Sequence, residues 1–375
     1  MILVDIIVFI LILSVLILVH ELGHFAMAKL FKVYCYEFSL GMGPLLFQHH
    51  KEGAETKYSI RALPIGGYVS MAGESIDEAE DPAKSADGKD EEQRNDINVP
   101  YERTINGVAS WKKMIIVVAG VVMNFILSLV LFIVLYCSVG VPTDGIKLGV
   151  EKDSFAYQVG LRTGDEISEI KTVLVGSESK EYVCTLDTGL DKCITSYAPS
   201  EVYPTQEYTF TVLRDGEELT YQINRVYDVE TTKTSVMGLT FEYIYDDSSF
   251  FKSLAYAFEY EWYAIKSLFI GVGNLFTKEG WSQVGGPVAI FRITQDATSS
   301  GIFSVISLAG LLSANLGVIN LLPIPALDGA SFLTSLWETI TRKKVNKKIE
   351  AIINSIGMIF LMGLMVLILI KDIFF

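Results

Sequence analysis

The sequence predicts a polytopic α-helical membrane protein with about four transmembrane helices, a membrane-associated β region and a separate external α+β domain. Three observations predict it. Half of the 375 residues are hydrophobic and the mean hydropathy is +0.38, well above the usage of soluble domains. The apolar residues cluster: residues 1–19 read MILVDIIVFILILSVLILV, residues 114–139 hold almost no charge, and residues 351–370 read AIINSIGMIFLMGLMVLILI. Each run can cross the hydrocarbon core, which takes about 20 residues as a helix. A fourth apolar stretch, residues 301–337, is interrupted by Asn315, Asn320, Pro323, Pro325 and Asp328 and reads as a broken span.

In chain order, residues 1–32 form the first transmembrane helix. A secretory signal peptide is the competing reading, but this segment lacks a basic n-region and a small-residue cleavage site and runs straight into HELGH. Residues 33–73 form a small β region, because YSIRAL alternates and the glycines of GMGP and PIGGYV punctuate strand-like runs. Residues 74–110 are an acidic linker and the approach to span two. Within them, residues 74–98 hold almost no large apolar side chain and cannot bury enough surface to fold alone. An acidic metal-buffering loop is the alternative, although charge runs are usually solvated.

Residues 111–140 are the second transmembrane helix. Residues 141–248 form the external domain, rich in short β pieces and with a hairpin signal at Asp215-Gly216. Residues 249–300 form an interfacial amphipathic helix and a turn, since FKSLAYAFEYEWYAIKSLFIGVGNLF is aromatic with scattered charges. Residues 301–337 are the third transmembrane segment, 338–350 a basic loop and 351–375 the fourth transmembrane helix.

Lys and Arg in short loops stay on the cytoplasmic side. Lys29 and Lys32 follow the first span, Arg103, Lys112 and Lys113 precede the second, and Arg342, Lys343, Lys344, Lys347 and Lys348 separate the last two. The three clusters are therefore read as cytoplasmic, which puts both termini and the segment from about residue 141 to residue 300 outside. A net charge of −14 argues against a nucleic-acid partner, because a phosphate backbone demands a basic face. Cys35, Cys137, Cys184 and Cys193 form no C-x-x-C pair, so a thiolate zinc site is not expected. Cys184 and Cys193 are close in an external segment, where either a disulfide or two free thiols fits.

The strongest local signal is His20-Glu21-Leu22-Gly23-His24. Two histidines four apart on a helix point to one side and can share a metal, while the glutamate between them is placed to activate water. HExxH also arises by chance on helix surfaces. Here it extends a membrane span, where ionisable side chains are expensive and default to function.

A catalytic zinc usually takes three protein ligands and keeps one position open. The third candidates are His49, His50 and Asp328. The two histidines lie in a polar strand-like stretch, FQHHKEG, that reads as exposed surface. Asp328 sits in NLLPIPALDG, inside an apolar stretch where a carboxylate needs a cation to balance it.

HELGH and Asn320-Leu321-Leu322-Pro323-Ile324-Pro325-Ala326-Leu327-Asp328-Gly329, about 300 residues apart, together resemble the site-2 proteases, and more closely their bacterial RseP-type members. The resemblance implies an intramembrane metalloprotease of the bacterial inner membrane, with one Zn2+ per chain on His20, His24 and Asp328, and Glu21 as general base. It also implies Asn320 near the reacting carbonyl. Gly41-Met42-Gly43 and Pro64-Ile65-Gly66-Gly67-Tyr68 look like the family's membrane-reentrant β region, which presents an edge strand to substrate, so Gly66, Gly67 and Tyr68 are substrate-strand candidates. Ala119-Gly120 with Asn124 resembles its second-span motif, and Gly285-Gly286-Pro287 lies at a similar turn. Residues 156–170 (AYQVGLRTGDEISEI) look like the GL-x-x-GD segment of a PDZ domain, which makes the external domain PDZ-like.

Three places depart from the family pattern: Val121 stands where proline is frequent, Ala330 where a second glycine is usual, and residues 172–203 form an unusual stretch. None is a ligand candidate.

The implied substrates are transmembrane proteins cut in regulated intramembrane proteolysis, such as anti-sigma factors, remnant signal peptides and small membrane regulators. The lipid bilayer is the other partner. Cleavage within a helix requires local unwinding, and an edge strand offers main-chain bonds to the unwound piece. The external domain reads either as a plain scaffold or as a sieve that excludes substrates still carrying bulky external parts. Two readings from other classes compete. A transporter explains intramembrane His, Asp and Asn but leaves HExxH without a role, and a silent PDZ adaptor predicts binding indifferent to metal.

Overall fold

In the computed structural model of the chain, residues 2–74, 99–175, 179–185, 205–228, 233–234, 237–246, 249–274, 277 and 285–374 are described. The acidic stretch 75–98, Cys193 and most of the departure at 172–203 lie outside them. The chain divides into two units, Met1–Tyr136 with Leu254–Phe375, and Cys137–Ser253. Among the described residues, four helices are long and apolar enough to cross a membrane.

In the first unit, α1 (Ile2–Leu30) has no helix breaker before Gly23. It turns one stripe inward: Ile12, Leu16, His20, Gly23, His24 and Ala28 are buried at spacings of three and four, while Leu3, Ile7, Leu11, Val15 and Leu22 are exposed. This is the period of an α-helix with one protein-facing side.

The chain then forms an antiparallel hairpin of β1 (Cys35–His49) and β2 (Lys57–Met71). Cys35, Glu37, Ser39 and Gly41 alternate inward on β1, after which every residue of the strand is exposed. The far half carries Met42, Leu45, Leu46 and Phe47 on β1 and Ile60 and Leu63 on β2, all outward. The near half therefore packs on protein, and the far half is an apolar tip.

Helix α2 (Ser110–Val139) buries Ile116, Gly120, Asn124, Ser128 and Phe132 on one face, each four residues after the last. It meets α1 where both are thin. A Cβ on Gly23 would overlap the Ala119 carbonyl oxygen and one on Gly120 would overlap the His24 ring. Small residues let membrane helices approach closely.

In the second unit, β3 (Val141–Val150), the short helix α3 (Phe155–Gln158), β4 (Glu166–Val175), β5 (Lys180–Thr185), β6 (Thr205–Arg214), β7 (Glu217–Asp228), β8 (Lys233–Thr234) and β9 (Leu239–Asp246) follow in sequence. The strands form one sheet in the order β8-β7-β6-β4-β3-β9, with β5 also paired to β4. All pairings are antiparallel. In β6 the alternate residues Gln206, Tyr208, Phe210 and Val212 are buried, and the last three pack with Leu148, Leu161, Ile167, Ile170 and Ile223.

The β6–β7 turn is Asp215-Gly216, with φ of 52° and 86°. That pair of positive values is what an Asp-Gly hairpin supplies. In the segment Gly160–Asp165, the buried Asp165 carboxylate takes both arms of Arg214 at 2.6 Å and the Arg162 N–H at 2.9 Å. Cys184 is disulfide-bonded, and Cys35 and Cys137 are free.

The first unit resumes at Leu254, within α4 (Phe250–Asn274), whose Tyr260 and Tyr256 lie edge-on to Phe132 and Tyr136 of α2. The segment 249–300, expected as one helix and a turn, contains a second helix, α5 (Pro287–Ser300). Gly286-Pro287 starts this helix instead of only turning the chain, since proline at the first helical position forfeits no intrahelical bond. The Asp372 carboxylate accepts the N–H groups of Gly286 and Ala289 at its N-terminus.

The third span is two helices, α6 (Ile302–Leu321) and α7 (Asp328–Thr341). Pro323 and Pro325 carry no N–H, so the helix ends before them and restarts after them. The last helix, α8 (Lys347–Phe374), begins four residues earlier than the apolar run predicts.

Candidate active site

His20 and His24 sit one turn apart on the inward stripe of α1, with ring centroids 4.7 Å apart. Asp328 is the first residue of α7, where the unsatisfied N–H groups of a helix start favour a negative charge. The three meet. His20 Nε2 and His24 Nε2 are 3.1 Å apart, and Asp328 Oδ2 lies 3.0 Å from the first and 3.4 Å from the second. Among the described residues this is the one group of three or more His, Cys, Asp or Glu able to share an ion.

The far side of each ring shows which nitrogen faces inward. His24 Nδ1 lies 2.8 Å from the Ile116 carbonyl oxygen, which can only accept, so Nδ1 carries the proton and Nε2 presents a lone pair. His20 Nδ1 lies 3.0 Å from the Asn124 amide nitrogen, and Asn124 Oδ1 is buried without a partner. A half-turn of that amide lets Oδ1 accept the His20 Nδ1–H and frees its Nε2 in the same way.

Asp328 Oδ2 is buried and receives no hydrogen bond, although both ring nitrogens stand close to it. Three lone-pair atoms facing one another repel unless a cation lies among them. A tetrahedral ion with bonds of about 2.0–2.1 Å separates its donors by about 3.3 Å, which matches the spacing here. Two imidazoles and a carboxylate suit zinc, so the residues fit the metal.

Glu21 points into the same cavity, of about 390 Å³, whose walls include His20, His24, Asp328, Tyr68 and Asn354. Its carboxylate takes a hydrogen bond from the Val69 N–H of β2. A Cβ on Gly67 would come within 3.5 Å of Glu21 Cγ, so this strand passes directly beside the acid.

Tyr68 donates to Glu37 Oε2 at 2.7 Å, and Arg61 pairs with Glu37 Oε1 at 3.0 Å. Burial pushes the Glu37 carboxyl up, but hydrogen bonds from Ser59, Tyr68 and Arg61 outweigh it and hold the group below the ordinary carboxylate range. The hairpin wall of the cavity is thus cross-braced by a charged network.

Some expectations meet this arrangement and others do not. His20, Glu21, His24 and Asp328 come together, and Gly67 and Tyr68 lie beside them. Asn320 does not line the cavity: it is half-buried, one residue before the end of α6. The exposed His50 bonds its own loop through Ala54 O, far in sequence from any partner ligand.

Gly120 and Asn124 entered the sequence reading only through resemblance. A polar residue four after a glycine inside an apolar span was the available signal. Asn354 and the Lys113–Glu350 pair at 3.8 Å, both on the cavity wall, were not anticipated.

Residues 8–364 match Peptidase family M50. Three relatives each carry the name "Putative zinc metalloprotease". The one from Clostridium acetobutylicum is 34% identical over 373 residues, covering 98% of this chain and 97% of its own. The one from Staphylococcus aureus strain N315 is 31% identical over 441 residues, covering 99% and 98%. The one from Fusobacterium nucleatum is 32% identical over 369 residues, covering 96% of each. With its own HELGH histidines and Asp328 converging on one point, the chain belongs to Peptidase family M50 and is a zinc metalloprotease.

Proposed function

We propose that this chain is a site-2-type, RseP-like intramembrane protease that cuts transmembrane segments of membrane proteins, with His20, His24 and Asp328 as zinc ligands and Glu21 as general base. The observation that carries the reading is the convergence of three lone-pair donors and one further carboxylate on a single cavity walled by apolar helices and the β hairpin.

Bound zinc supplies Lewis acidity, polarising the scissile carbonyl and acidifying water. The chain's own residues do the rest. Glu21 takes a proton from the attacking water at its carboxylate and hands it to the leaving amine, the two halves of general acid–base catalysis. The Val69 N–H orients that carboxylate. Residues 66–68 of β2 offer main-chain groups to a substrate stretch that has lost its helical hydrogen bonds, which is the energetic condition for opening a helix inside a bilayer.

The basic clusters around residues 29–32, 103–113 and 342–348 support a cytoplasmic position for the HELGH end of α1, and the bacterial inner membrane is the location the family likeness suggests. The 137–253 unit then lies outside. Its Gly160–Asp165 turn, pinned by Arg214, supports a PDZ-like reading of the domain, and such a module sieves substrates by size and by peptide recognition. Asn320 remains the family-based candidate for holding the substrate backbone.

The test is cleavage of a single-span reporter in liposomes by wild type and Glu21→Gln, with metal content measured on both. The expected result is one metal in each and cleavage by wild type alone. Ion flux across the vesicles that persists in Glu21→Gln, with no cleavage by either, would point to a transporter instead.

A further inference from the structure

The fourth span touches the rest of the protein along a narrow line. Only 6% of its apolar window is buried, and its inward residues on the α7 side are Glu350, Asn354 and Gly357, spaced four and three apart on one face of α8. Each of the three has a definite partner. Glu350 pairs with Lys113, Asn354 Oδ1 accepts the Ala326 N–H at 3.3 Å, and Gly357 lies against Pro325, where a Cβ would come 2.6 Å from the Pro325 carbonyl oxygen. Two of the three contacts are on the loop that delivers Asp328.

That loop has an unusual donor balance. Between the end of α6 and Asp328, Pro323 and Pro325 have no N–H. Leu322, Ile324 and Leu327 donate to Ile319, Leu322 and Ile324 within the segment. Ala326 is left, and its N–H goes to the Asn354 side chain. Ala326 also has φ of 74°, a left-handed conformation that an L-residue holds only when its surroundings fix it. Irregular backbone among membrane helices persists only where its polar groups are satisfied.

We propose that Asn354 is a positioning residue of the metal centre: by accepting the Ala326 N–H it fixes the left-handed turn from which Asp328 reaches His20 and His24. Gly357 serves the same end by leaving room for Pro325. The fourth span, apart from spanning lipid, thus sets the third ligand. The inference rests on the assignment of Asp328 as a ligand.

The experiment loads purified full-length protein with zinc and follows metal loss into excess chelator, together with kcat and KM on the reporter. Asn354→Ala removes the acceptor, Asn354→Asp keeps it, Gly357→Ala crowds Pro325, and Ile356→Ala alters only the exposed face of α8. Asn354→Ala and Gly357→Ala are expected to release metal about tenfold faster than wild type, the low end of what loss of a ligand's support costs. Asn354→Asp and Ile356→Ala should match wild type, and metal-stripped Asn354→Ala should melt with wild type.

Wild-type metal retention in Asn354→Ala overturns the proposal. Equal loss in Asn354→Ala and Asn354→Asp also overturns it, because the amide NH2 and not the acceptor oxygen would then matter, and a change confined to KM overturns it by placing Asn354 on the substrate instead of the metal centre. Asp328→Ala separates the two readings: if it keeps its metal, the ligand assignment fails first, whatever Asn354 does.

Discussion

The two halves of the metal centre are built on opposite plans. His20 and His24 stand one turn apart on an unbroken helix, so their spacing follows from helical geometry and needs only a close neighbour, Gly120, to leave room for the rings. Asp328 stands at a helix start after a loop with two prolines and a left-handed alanine, and its place depends on residues from another span. A ligand on a regular element is positioned by its own backbone. A ligand after a break is positioned by its surroundings, and so it is the half most exposed to distant substitutions.

That contrast can be broken at several points. The largest effect is expected from Asp328→Ala, which leaves the histidine half intact: cleavage should fall to background and metal should wash out in chelator, as measured by metal analysis after gel filtration. Gly120→Ala comes next. It removes no ligand, yet its methyl would lie 2.8 Å from His20 Cε1 and overlap His24, so activity should drop about 100-fold, the scale of a 1 Å misplacement. Should Gly120→Ala behave as wild type, the two rings would have room to spare and the helix half would not depend on the glycine.

Asn124→Ala should weaken metal affinity by about 10- to 100-fold while protein yield stays normal, because it frees the His20 ring to turn. Isothermal titration of metal-stripped protein reads this directly.

The smallest effect concerns the hairpin wall. The Glu37 carboxyl titrates below its ordinary value, so its contribution to hairpin stability is fully present above the unfolded-chain value of about 4.3 and is lost as the pH falls through the lowered folded value. Protection factors of the β1 and β2 amides, corrected for the intrinsic pH dependence of exchange, should therefore be steady from neutral pH down to the unfolded-chain value and fall as the pH drops below it. Glu37→Gln should abolish that acid step.

The same contrast governs what could be read from the chain beforehand. The HELGH pair is legible because its geometry is local, and the broken span is legible because proline and aspartate stand out against leucine and isoleucine. What supports Asp328 is not legible. Asn354 is 28 residues from Ala326, and an asparagine in a span of isoleucines and methionines reads only as an isolated polar residue.

Helix α5 was missed for a different reason, since Gly286-Pro287 suits a turn and a helix start equally and its cap, Asp372, comes from 86 residues away. In the 137–253 unit, Asp215-Gly216 announces its own hairpin, whereas the partner of Asp165, Arg214, is 49 residues distant. Asn320 is legible only through motif likeness, whereas Asn354, on the cavity wall, carries no motif at all.

The most direct test of the central claim, that one ion joins the helix half to the loop half, is X-ray absorption at the zinc edge on purified wild type and Asp328→Ala. One zinc per wild-type chain is expected, in a shell of nitrogen and oxygen at about 2.0–2.1 Å with two imidazoles and no sulfur, and no ordered zinc in the variant. A sulfur shell at about 2.3 Å, or the same spectrum from both proteins, would contradict it.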